Sequence, residues 1–155
     1  MTYSFLEIME LLSYVATVVG IPMALALFMY QEHKERQTEQ GEIYDDLMGH
    51  YADIQNKLFD YPELDQHDKQ PQNLENGRRQ RILYEMLVSL FERAFIMLYG
   101  ERDPEYRRMW HSWSDYIEYW GGKPNFRDAL PYLMKGEDPA FVAYMAKVTG
   151  LKLEP

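Results

Sequence analysis

The side chains best suited to metal ligation or proton transfer are four histidines, His33, His50, His67 and His111. None has a second histidine or a carboxylate in an H-x-x-x-H or E-x-x-H arrangement, the spacings that place two ligands on one helical face. The equal interval between the first three falls across a polar connector, a helix and a loop, so no metal site is expected. Glu85 and Glu92 are seven residues apart and share a helical face. A carboxylate-bridged metal pair would also require E-x-x-H partners, which are missing; a solvated face is expected. The chain contains no cysteine, which excludes disulfides, thiolate ligands and cysteine nucleophiles. There is no glycine-rich phosphate loop and no nucleophile elbow. No catalytic residue and no cofactor are expected.

Arginines offer a different chemistry. Arg78, Arg79 and Arg81 cluster at the start of one predicted helix, and Arg107, Arg108 and His111 lie on the next. Unpaired N–H groups at a helix N-terminus attract anions, and guanidinium forks add bidentate donors. Arg78, Arg79, Arg81, Arg107 and His111 are therefore the candidate ligand-binding set, for a nucleotide, RNA or a lipid headgroup. The competing expectation is ordinary surface pairing with the excess carboxylates. Trp110, Trp113 and Trp120, with Tyr106 and Tyr116, form an aromatic stripe at helical spacing. It reads either as core or as a binding groove.

These side chains must be positioned by helices, since no segment alternates apolar and polar residues long enough for a strand. The chain has 155 residues, of which 25 are acidic and 16 basic, for a net charge of −9. General nucleic-acid binding, which depends on neutralising phosphates, is not expected. Ile43, Leu47, Tyr51, Ile54 and Leu58 predict an amphipathic helix over 42–59, ended by Tyr61-Pro62. Residues 62–77 are polar, with two prolines and a glycine, and read as a loop. A central core helix is predicted over 77–99, with Ile82, Leu83, Met86, Leu87, Leu90, Phe91, Ala94, Phe95 and Leu98 as its stripe and Gly100 at its end. Asp103-Pro104 and Asp138-Pro139 are explicit helix starts. A short helix is predicted over 125–134 between them. The result is an all-α fold, a compact bundle of four to five helices at 42–150, with a short tail at 151–155.

Ahead of the bundle, residues 11–30 (LLSYVATVVGIPMALALFMY) carry no charge. Twenty residues at about 1.5 Å per residue span roughly the 30 Å of a bilayer core. A soluble core helix of this length would show a polar stripe. Residues 1–30 are therefore read as a flank and transmembrane anchor, with 31–41 as a polar stalk breaking at Gly41. Ala24-Leu25-Ala26 has the shape of a signal-peptide cleavage site. However, residues 1–10 lack Lys and Arg, and the apolar run continues beyond that site. Lys34 and Arg36 follow the segment and no basic residue precedes it, so the N-terminus is expected outside and the bundle in the cytoplasm. Ala16, Gly20 and Ala24 place small residues on one face, a pattern that permits close helix approach. Pro22 cannot donate to Val18 and predicts a kink.

The run Trp110–Trp113, Trp120, Pro124-Asn125-Phe126-Arg127 and Asp138-Pro139-Ala140-Phe141 resembles a family of uncharacterised small bacterial proteins. These have one N-terminal membrane helix and a Trp-rich cytoplasmic helical domain. The layout is also similar to the family of small membrane proteins that accompany one class of RNA-guided, RNA-cutting CRISPR effectors, which have a HEPN-like domain and assemble into a pore. The HEPN ribonuclease motif is an arginine, four to six residues, then a histidine; here Arg107 leaves three residues before His111 and Arg108 leaves two. Neither resemblance carries over a functional residue. Both imply a bacterial inner-membrane protein; its expected partners are the bilayer, further copies of itself through the small-residue face of the anchor and the aromatic-rich domain, and another membrane or cytoplasmic protein. The expected function is assembly, as a homo-oligomer. If that oligomer is a ring, kinked anchors would line a pore with Ser13 and Thr17 towards the lumen. The alternative is a membrane-tethered anion- or nucleotide-binding sensor, or a divergent HEPN-like ribonuclease, at the arginine set.

Overall fold

The computed structural model describes residues 5–64 and 73–155, apart from the side chains of Glu7, Ile8, Leu11 and Gln37. All regular structure among the described residues is helical, in five α-helices and one 3₁₀ turn. They divide into two compact units, 1–42 and 43–155. His67 lies outside the described residues.

The first helix, α1, runs Phe5–Asp60 without a break, through Pro22 and Gly41. The stop expected at Gly41 does not occur. One glycine costs a helix about 1 kcal/mol. It is flanked here by good helix formers, and the Arg36–Glu32 pair at 2.9 Å supports the preceding turn. Within unit 1 the apolar segment finds no cover. It has a mean hydropathy of 2.0 over eighteen residues and is 0% buried. One helix of the chain is thus long and apolar enough to cross a membrane.

Unit 2 contains the last turns of α1, the 3₁₀ turn Pro62–Leu64, α2 (Leu74–Leu98), α3 (Pro104–Gly121), α4 (Pro124–Leu133) and α5 (Pro139–Thr149). α2 is the hub and packs against the 3₁₀ turn and all three later helices. It begins three residues earlier than expected. The Asn73 side chain accepts the Asn76 N–H at 2.8 Å, so Asn73, not the Gly77 region, caps it. Four later boundaries follow from local chemistry. Asp103 accepts the Glu105 N–H and Asp138 those of Ala140 and Phe141, each with proline at the first helical position. α4 also starts on a proline, behind Lys123. Gly150 ends α5 at φ 70°, a left-handed conformation that costs an L side chain about 1 kcal/mol or more.

The core is aromatic and spans every helix of the unit. Leu47, Tyr51, Ile54 and Leu58 of α1 are buried, as are Leu83, Leu87, Phe91, Ala94 and Phe95 of α2. Trp113, Ile117 and Trp120 of α3, Phe126 and Leu130 of α4, and Phe141 and Met145 of α5 complete it. Two residues of the expected α2 stripe are not core: Ile82 is 56% exposed and Met86 39%.

Candidate functional site

The tryptophan stripe was the first candidate for a groove, and the structure places it inside. Trp113 is 0% exposed and Trp120 1%. The Trp120 indole N–H donates to the Tyr51 hydroxyl at 3.3 Å, tying α3 to α1. Tyr51 stacks on Tyr116, with ring centroids 4.5 Å apart, and meets Trp113 edge-on at 5.9 Å. Burial raises the Tyr51 hydroxyl above its ordinary pKa, so it stays a neutral donor and acceptor. Trp110 is half-buried, with its ring against Phe95, Tyr99 and Tyr144. Tyr144 is pushed up to about 12, by burial first and then by the negative field of Glu118. These rings are structural.

The residues on which the expected resemblance rests are structural too. Phe126 and Phe141 are fully buried. Arg127 donates to the Gly121 carbonyl at 3.2 Å and so caps the end of α3. A Cβ on Gly121 would stand 3.2 Å from the Thr149 methyl, so the glycine lets α3 and α5 close together.

The candidate anion set is not assembled as one site. Arg79 and Arg81 lie near the N-terminus of α2. Arg79 pairs with Glu75 at 2.6 Å and its guanidinium lies 5.5 Å from the Tyr61 ring; Arg81 pairs with Glu85 at 3.2 Å and stacks 4.0 Å above Tyr132. Arg78 is exposed beside Leu74 and Gly77. Arg107 and His111 sit at the other end of the unit, on the first turns of α3, where Trp110 packs on Phe95. Between Arg79 and Phe95 α2 rises about 24 Å. No small anion bridges that distance. His111 is exposed and 3.8 Å from Asp115, and Arg108 pairs with Glu105 at 2.6 Å. Surface pairing with carboxylates, the competing expectation, describes Arg79, Arg81 and Arg108.

The remaining titratable groups give no metal cluster: among the described residues no three His, Cys, Asp or Glu side chains converge. His50 lies 3.5 Å from Asp46 on the same helix face, and both are half-exposed. Glu85 and Glu92 part company. Glu85 is solvated and paired with Arg81, whereas Glu92 is half-buried and accepts the Asp138 backbone N–H that opens α5. Glu137 lies against it and is pushed up to about 7, by burial first and then by hydrogen bonding to and repulsion from Glu92. The solvated face expected at Glu92 is therefore corrected to a half-buried clamp. Helical spacing could not reveal it, because Glu137 and Asp138 come from 45 residues further along the chain.

Sequence patterning also missed a groove of about 660 Å³ between the last turns of α1 and α2. Ile54 and Leu90 form its floor, Ile82 and Met86 one wall, and Asp53, Lys57, Glu85 and Arg93 its rim. A second depression, bounded by Lys57, Tyr61, Leu64 and Arg79, shares Ile82 and Met86 with it. In unit 1, Ala16, Gly20 and Ala24 are exposed, and a Cβ built on Gly20 meets nothing within 4 Å. The Thr17 hydroxyl donates to the Ser13 carbonyl at 2.9 Å, which satisfies it within its own helix.

No protein-family model matches the chain, and neither a curated protein nor a solved structure matches it significantly.

Proposed function

We propose that this chain is a single-pass membrane protein of the bacterial inner membrane that works by assembling with copies of itself. One observation carries the reading. The apolar residues of α1 that precede the stalk are fully exposed within the fold, at a mean hydropathy of 2.0. Leu12, Val15, Val18, Val19, Ile21, Leu25 and Phe28 are each more than half exposed. A core helix of a soluble protein would be covered by its own domain. This one requires a bilayer or another protein. Apart from the Val18 carbonyl, which Pro22 cannot serve, its backbone bonds are made within the helix, and Thr17 satisfies its hydroxyl the same way.

Lys34 and Arg36 just beyond the segment favour a cytoplasmic bundle and an external N-terminus. The Ala16, Gly20, Ala24 face is open to a second helix, and small residues let helix backbones approach closely in lipid. The internal bond of Thr17 makes a polar pore lining at Ser13 and Thr17 the weaker form of assembly. The test is extraction followed by sizing. The protein should resist alkaline carbonate, dissolve in mild detergent and run as a defined oligomer. Gly20→Leu should lower the oligomeric fraction several-fold. Release by carbonate would sink the anchor; a monomer in detergent and under cross-linking in the native membrane would sink the assembly.

A further inference from the structure

The anchor explains where copies meet in the membrane, but the cytoplasmic unit carries an uncovered surface of its own. On α2, Ile82, Met86, Ser89, Arg93 and Ile96 follow one another at intervals of four, three, four and three residues. That spacing is the seam of two helices packed side by side. The apolar members are exposed: Ile82 56%, Met86 39% and Ile96 62%. The same helix already buries its opposite face through Leu83, Leu87, Phe91 and Phe95. α2 thus has one covered apolar face and a second, mixed face whose apolar members, Ile82, Met86 and Ile96, are uncovered. The second opens onto the groove whose floor is Ile54 and Leu90.

Charge selects the occupant. The chain is acidic overall, at −9, so two copies repel over most of their surface. The groove rim is balanced, with Asp53 and Glu85 set against Lys57 and Arg93. A two-fold contact brings each surface patch against its own copy, so it needs a patch that complements itself. A rim carrying two acids and two bases meets that need: Glu85 and Arg93 are exposed and paired within one copy with Arg81 at 3.2 Å and Asp46 at 3.5 Å, and can exchange those partners for opposite charges of the other copy. Ser89 lies at the middle of the seam, where a small side chain allows close approach across the axis.

We propose that the α1–α2 groove of unit 2 is a two-fold interface that receives α2 of a second copy. The inference rests on the assembly reading above, because a shared membrane supplies the second copy at high local concentration. It does not depend on which face of the anchor is used.

The absence of cysteine makes the test clean. Single cysteines are placed in the full-length chain at Ser89, Gly20 and Asp115, and isolated membranes are oxidised. A disulfide needs Cα atoms within about 7 Å, so only positions near a symmetry axis should cross-link. Ser89→Cys should give a band at twice the monomer mass, and Asp115→Cys, on an exposed part of α3, at least ten-fold less. Met86→Glu in the Ser89→Cys background should cut the Ser89 band about ten-fold while the thermal unfolding of the detergent-extracted protein is unchanged, because Met86 lies outside the core. A Gly20→Cys dimer without a Ser89→Cys dimer would overturn this interface and leave the assembly reading standing. Loss of both bands would remove both. A Ser89→Cys adduct of any mass other than a dimer would replace the second copy with another protein and overturn the proposal.

Discussion

α1 uses hydrophobic residues in two ways. Between Leu12 and Tyr30 they cover every side of the helix, and all are exposed. Between Leu47 and Leu58 the buried ones recur at 47, 51, 54 and 58 along one stripe, with Met48 half-buried beside it and Ala52 exposed. Composition and pattern both separate the two stretches: the first carries no charge, and the second sets Asp53 and Lys57 between its apolar positions. One apolar stripe can be satisfied by a neighbouring helix of the same fold. An apolar cylinder cannot, because a domain of this size has no second layer to wrap it. α2 stands between these cases, with one face covered and a second, narrower one open.

Two substitutions should separate the regions. The larger effect is expected from Trp113→Ala. Trp113 is fully buried and packs edge-on against Tyr51, Phe91 and Tyr116. Removing a buried tryptophan side chain costs about 3–5 kcal/mol, a large share of the stability of a domain this small. The bundle should lose its cooperative thermal transition, while the chain stays in the carbonate-resistant membrane fraction. A cooperative melt within a few degrees of wild type would show that the aromatic core does not hold this unit together. Conversely, Val18→Asp places a carboxylate in the apolar segment, at about 3 kcal/mol against insertion. The protein should shift from the membrane to the carbonate-soluble fraction, with the bundle still melting at its normal temperature. Persistent insertion, or a bundle that unfolds with the anchor, would undo the division between the regions.

How far the sequence reveals this fold depends on the range of each interaction. Asp103-Pro104, Asp138-Pro139 and Gly150 set helix boundaries with groups two to four residues away, and such signals are readable directly. Asn73 is equally local, but it lies in a run of polar and breaker residues that reads as loop, which hid the start of α2. Gly41 misled in the other direction, because a single weak residue cannot stop a helix favoured on both sides. The core faces of α1 and α3 followed from periodicity. The α2 stripe was read too wide, since periodicity reports that Ile82 and Met86 are apolar but not whether a partner covers them. The candidate anion set is spread over two ends of the unit for a related reason. Arg79 and Arg107 are both near helix starts, but antiparallel packing sends successive helix starts to opposite ends of a bundle. The Glu92–Glu137 pair depends wholly on tertiary packing.

That pair supplies the smallest and most specific test of how unit 2 is fastened. Glu92 holds the first N–H of α5 while Glu137 crowds it from the preceding turn. In the folded protein Glu137 titrates at about 7 against an ordinary 4.5, so the folded state binds the extra proton more tightly than the unfolded one. Its contribution is fully present below about pH 4.5 and is lost as pH rises through 7. Glu137 is only partly buried, so solvent screening cuts the full linkage of 1.36 kcal/mol per pKa unit to about 1 kcal/mol. Between pH 5 and pH 8 the bundle should therefore lose about 1 kcal/mol from this pair. Glu137→Gln keeps a hydrogen-bond donor towards Glu92 and removes the titration, so it should hold its stability as pH rises. Subtracting the variant's pH profile from that of the wild type cancels whatever the two proteins share and leaves the Glu137 contribution. Urea unfolding at both pH values measures the difference, and parallel profiles would mean that Glu92 clamps α5 without sharing a proton.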